Sequence, residues 1–200
     1  MCEQENVSPH YNGARAAKTA ETLATGSPDE ITCPGDLKCT CAASCAVNAG
    51  FDDPFLYDDS TYRAAPFIDE LDNRYSARYY YNPQDKNPDG SPKAFDAPGE
   101  EYDGFAYYGE IGDEETWSIF VNSIMPDLKP GDIIGYHNMN DNSEFNHVAT
   151  VVGFAMNPDQ GNAMWPLVVD VSGSVAEQPH FLDASSSLDI HEVIVIFVGR

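Results

Sequence analysis

Lys38-Cys39-Thr40-Cys41-Ala42-Ala43-Ser44-Cys45-Ala46-Val47-Asn48-Ala49-Gly50 packs three cysteines into a short run of small residues. Its alanines favour helix because they lose no side-chain entropy on ordering. Asp36 stands where an N-cap is expected and Gly50 where a C-cap is expected. That framing puts Cys39 in the first turn, where the helix dipole favours a thiolate over a thiol. The small side chains predict a helix packed closely against a sheet. Three chemistries fit such a stretch: a cysteine–histidine pair, a metal site, or a structural thiol cluster.

Outward from it, the chain divides by composition. Residues 1–12 read as a tail, and Gly13 to Thr25 as an alanine-rich helix stopped by Gly26-Ser27-Pro28. Residues 27–37 read as a loop. From 51 to 103 the chain is rich in Asp, Pro, Tyr and Asn, with one short helix expected around Phe67–Tyr75. This predicts an irregular insertion at about residues 51–115 that shapes a cleft, within a single domain spanning 1–200. Thr116 to Met125 reads as another short helix. The period then changes to two. Pro130-Gly131 turns the chain into a strand at Asp132–Tyr136, a polar loop follows, and strands are expected at 147–155, 167–171 and 192–198. Helices first and antiparallel strands second make an α+β chain.

A cysteine nucleophile needs a base on another element, and that base needs a third group to orient it. His147 heads the apolar strand His147-Val148-Ala149-Thr150-Val151-Val152-Gly153. Asp170 interrupts the apolar run Val168-Val169-Asp170-Val171, and could accept the second imidazole N–H if its strand lies beside that of His147. His137 is the alternative base. A histidine at a strand end is more often an ordinary polar residue, so residue types alone leave the question open.

The order of these features resembles the bacterial papain-like cell-wall hydrolases, the NlpC, CHAP and related amidase-like families. Cys39-Thr40 followed by Asn48-Ala49-Gly50 matches the nucleophile helix, which selects Cys39 over Cys41 and Cys45. Pro130-Gly131-Asp132-Ile133 matches the turn before the sheet, and His147–Gly153 matches the histidine strand. Residues 13–50 and 116–175 carry the resemblance. Lys38 stands where an acidic neighbour is usual, and Cys41 and the alanines replace larger residues.

The resemblance implies a papain-like fold, with N-terminal helices packed on a central antiparallel β-sheet, and a Cys39, His147, Asp170 catalytic site. It implies a cysteine peptidase or amidase acting on amide or peptide bonds of bacterial peptidoglycan. Cys39 would attack the carbonyl, His147 would shuttle the proton, and the Cys39 backbone N–H would stabilise the oxyanion. It also implies a secreted or cell-envelope location, although residues 1–30 are polar and alanine-rich and carry no visible signal. The competing class is a non-enzymatic acidic binding protein on the same fold, its cysteines structural.

Charge narrows the partners. Lys and Arg total 10 against 33 Asp and Glu, a net of −23, so no basic surface exists to neutralise phosphates, and nucleic acid is excluded as a partner. No apolar run reaches membrane-spanning length. The expectation is a monomer acting on a peptidoglycan peptide, with no cofactor and no metal. Cys33, Cys39, Cys41 and Cys45 lack the knuckle spacing of a zinc site, so Cys41 and Cys45 are expected to pack or to form a disulfide with Cys33. Asp85-Lys86-Asn87-Pro88-Asp89-Gly90, with Asp96 beyond it, resembles half a calcium loop, but its prolines favour an Asx-rich turn.

Overall fold

Helix α1 spans Gly13–Thr25 and begins at a cap that its alanine pattern did not announce. Asn12 Oδ1 accepts from the Arg15 backbone N–H at 3.0 Å, satisfying a donor that the first helical turn leaves unpaired, and the Asn12 carbonyl accepts the first helical bond from Ala16 N–H. Ala16, Ala17, Ala20 and Ala24 are buried along one stripe, as helical spacing requires. The structure is a computed structural model. It describes residues 11–25, 38–52, 64, 66–68, 71, 76–80, 124–138, 147–172, 175–176, 179–182 and 190–198. Asp36, Cys33 and the calcium-like stretch Asp85–Asp96 lie outside the described residues.

Helix α2 spans Lys38–Gly50. Between Cys39 and Val47 only Cys45 is exposed, so this helix is enclosed nearly all round, as its uniformly small residues allow. It does not end on a left-handed glycine, as the sequence led us to expect. Its last carbonyls are taken by its neighbour instead. Asn12 N–H donates to Gly50 O at 2.8 Å, and the Arg15 guanidinium donates to Ala49 O and Gly50 O while pairing with Asp52. Gly50 serves a different need. A Cβ there would lie 2.2 Å from the Tyr11 ring, which packs on Phe51 with ring centroids 4.6 Å apart.

The described strands are β1 (Ser76–Tyr80), β2 (Ile133–Asn138), β3 (His147–Asn157), β4 (Ala163–Val169), β5 (Val171–Ser172), β6 (Val175–Ala176), β7 (His180–Phe181) and β8 (Ile190–Val198). Six form one antiparallel sheet in the order β1-β8-β2-β3-β4-β7, and β5 and β6 pair separately. Helices and an antiparallel sheet make the described chain α+β.

Alternation along the strands builds a core on each face of the sheet. Ile133, Val148, Ile196 and Val198 face Ala43 and Val47 of α2, together with Phe67, Ile68 and Leu71. Ile134, Ala149, Val151, Val195 and Phe197 point the other way, onto Ile124, Met125, Leu128, Trp165, Val168 and Leu182. The alanines of α1 close on Ala46, Val152 and Val169.

Part of the stretch 51–115 thus belongs to the body of the domain. Residues 64, 66–68 and 71 are helical, with Phe67, Ile68 and Leu71 wholly buried, and β1 pairs with β8 from Ser76↔Val198 to Tyr80↔Ile194. Residues 81–115 lie outside the described residues.

The turn before the sheet is a type II turn. Asp132 N–H returns to Lys129 O at 3.1 Å, and Gly131 sits at φ +95, a value that favours glycine at that position. The Asp132 side chain, itself buried, accepts from Lys129 N–H at 2.7 Å. The turn is locked to β3 by Gly131 N–H to Val151 O and Val151 N–H to Asp132 O, and to the N-terminal segment by the Tyr11 hydroxyl donating to Gly131 O at 2.7 Å.

Candidate active site

Cys39 lies in the first turn of α2, buried to 5 % exposure. The helix presents it to β3, and two successive β3 residues meet it. The His147 ring hydrogen-bonds the Cys39 sulfur, and the Val148 backbone N–H donates to it. The Thr40 hydroxyl lies 3.8 Å from Sγ.

Sheet register delivers the third residue. The β3–β4 ladder runs to Thr150↔Val169, so Asp170, the next residue of the chain, leaves β4 close to the start of β3, where His147 lies. Asp170 falls in the break between β4 and β5 rather than inside a continuous strand 167–171. Released from the ladder there, its carboxylate turns to His147, and Nε2 donates to Oδ2 at 2.8 Å. With Nε2 committed to Asp170, Nδ1 is the ring nitrogen left for the thiol.

The electrostatics follow from these contacts. Burial pushes the Cys39 thiol up, but the His147 hydrogen bond, the charge on that ring, the Thr40 hydroxyl and the Val148 N–H outweigh it, and the thiol falls below its ordinary value. Burial likewise disfavours the imidazolium. The Asp170 hydrogen bond, the hydrogen bond and charge of Cys39, and the Asp170 charge overcome that and raise His147 to about 10. Opposite shifts in adjacent groups favour a thiolate beside an imidazolium, the arrangement that a cysteine nucleophile with a nearby proton donor requires.

All three residues singled out from the sequence therefore meet. His137 lies in β2, and its side chain is outside the described residues. Cys41 is disulfide-bonded to a cysteine outside the described residues, whereas Cys39 and Cys45 are thiols. Among the described residues no group of three or more His, Cys, Asp or Glu could hold a metal ion, and no helix is long and apolar enough to cross a membrane. Sequence reasoning passed over His180, whose Nε2 stands 3.9 Å from Asp170 Oδ2. Its strand is only two residues long and leaves no alternation to read. No family model, curated protein or solved structure matches this chain.

Proposed function

We propose that this protein is a papain-like cysteine hydrolase that cleaves amide or peptide bonds in bacterial peptidoglycan, at the cell envelope or outside the cell. The observation that carries the chemistry is the continuous chain from Cys39 through His147 to Asp170, in which the thiol is lowered and the imidazole raised. The substrate class rests on the resemblance of Cys39-Thr40, Pro130-Gly131-Asp132 and His147–Gly153 to the cell-wall hydrolases.

In this reading the Cys39 thiolate adds to the carbonyl carbon, and the oxyanion forms next to the Cys39 backbone N–H at the helix start. His147 passes its proton to the leaving amine as the carbon–nitrogen bond breaks, leaving a thioester on Cys39. Water then attacks the thioester. His147 takes the water's proton, the carboxylic acid departs, and the thiolate–imidazolium pair is restored. Asp170 holds the ring in one orientation throughout. Digestion of defined muropeptides, read by product mass, tests the proposal. The expected products sum to the substrate plus one water, and Cys39→Ala forms none. Intact muropeptides after incubation with fully reduced protein would overturn the peptidoglycan assignment.

A further inference from the structure

Asp170 is held less completely than its role requires. Its side chain is only 12 % exposed, yet Oδ1 is buried with no hydrogen-bond partner. Such an oxygen normally has one, because a buried unpaired acceptor costs about 1–3 kcal/mol. Oδ2 carries the bond to His147, the very group the carboxylate has to orient. A carboxylate fixed only by its own client can turn about its Cβ–Cγ bond.

The sheet brings a second imidazole to the same carboxylate oxygen. β7 pairs with β4 at Val168↔His180, which brings His180 close to Asp170, two residues beyond Val168. His147 at the start of β3, Asp170 just past the end of β4 and His180 in β7 thus lie close together. His180 Nε2 stands 3.9 Å from Asp170 Oδ2, one small side-chain adjustment from a hydrogen bond, and His180 is half-buried on an edge strand.

We infer that His180 is a positioning residue that acts through Asp170, a second imidazole beside Oδ2 that steadies the carboxylate so that the imidazolium, and through it the Cys39 thiolate, stays in place. The inference rests on the Cys39–His147–Asp170 reading but not on the identity of the substrate. Its test therefore reads the thiol itself. The pH profile of iodoacetamide alkylation at Cys39 is measured by peptide mapping in a Cys45→Ser background, with Asp170→Asn as reference. Asp170→Asn is expected to slow alkylation at neutral pH, as fewer thiolates form. His180→Phe keeps the ring volume and removes the donor. It is expected to move the profile up in the same direction, lowering the neutral rate about 3- to 10-fold. His180→Gln, which restores an N–H without titrating, is expected to recover most of the loss. His180→Ala gives the same answer if the phenylalanine variant does not fold.

A His180→Phe or His180→Ala profile that superimposes on that of the parent while Asp170→Asn shifts would overturn the role of His180. So would a shift downward, which would mean that His180 competes with His147 for the carboxylate. If Asp170→Asn itself leaves the profile unmoved, the Cys–His–Asp reading fails first, and His180 loses its role with it.

Discussion

His147 Nε2 donates to Asp170 Oδ2 at 2.8 Å across the β3–β4 pairing, and the same ring hydrogen-bonds Cys39. Asp170 is the largest single influence favouring the imidazolium. Asp170→Asn keeps the shape of the side chain and removes its charge, so the histidine should fall from about 10 toward its ordinary value. Hydrolysis should slow about 10- to 100-fold, as expected for a catalytic ring that loses its orientation. The alkaline limb of the kcat/KM profile, which reports the acid form of His147, should move to lower pH. Rate–pH profiles of the two proteins check both effects.

The same pair links pH to stability. His147 has a folded value raised to about 10, so its contribution is fully present below its unfolded value of about 6.5 and is lost as pH rises through the folded one. Cys39 is depressed, so its contribution is present above the ordinary thiol value and is lost as pH falls through the lowered one. The pair thus acts only between the lowered thiol value and about 10. The melting-temperature difference between the wild-type protein and Cys39→Ser should be largest inside that window and shrink on both sides. A difference independent of pH would show that the two groups are not ionised together.

Gly131 joins the turn to the N-terminal helix. Its φ is +95, and a Cβ there would fall 2.5 Å from Gly13 Cα. Alanine is strained by the backbone and blocked by the neighbour, so Gly131→Ala should cost about 1–3 kcal/mol or more. Gly13→Ala, whose Cβ would meet Pro130 O at 2.1 Å, should destabilise in the same way. Urea denaturation of both variants measures this.

Cys45 is an exposed thiol one helical turn past Cys41 and takes no part in the site. Cys45→Ser should retain full hydrolytic activity and lose one slowly alkylated thiol. Cys41→Ser removes a disulfide, so its penalty should appear in thermal stability, about 2–5 kcal/mol, rather than in the pH profile of Cys39.

The site was more legible than the frame around it. Cys39 at a helix start, His147 at a strand start and Asp170 inside an apolar run each break a local pattern, and that break is what singled them out. The strands β2, β3 and β8 showed themselves by β-branched runs. β1 did not, because Ser76–Tyr80 lies in an Asp-, Pro- and Asn-rich stretch whose composition reads as loop. The end of α2 was misjudged for a tertiary reason. Gly50 looks like a helix stop, yet the stop is made by Asn12 and Arg15, far away in sequence, and the glycine makes room for Tyr11. His180 was invisible because its relation to Asp170 exists only through the β4–β7 register.

Thiolate absorbance in the ultraviolet, titrated for the wild-type protein minus Cys39→Ser, addresses the ion pair most directly and needs no substrate. The expected difference is a Cys39 thiolate lost in a single step below the ordinary cysteine value of about 8.5. A thiolate that appears only at or above that value would contradict a Cys39–His147 nucleophilic pair.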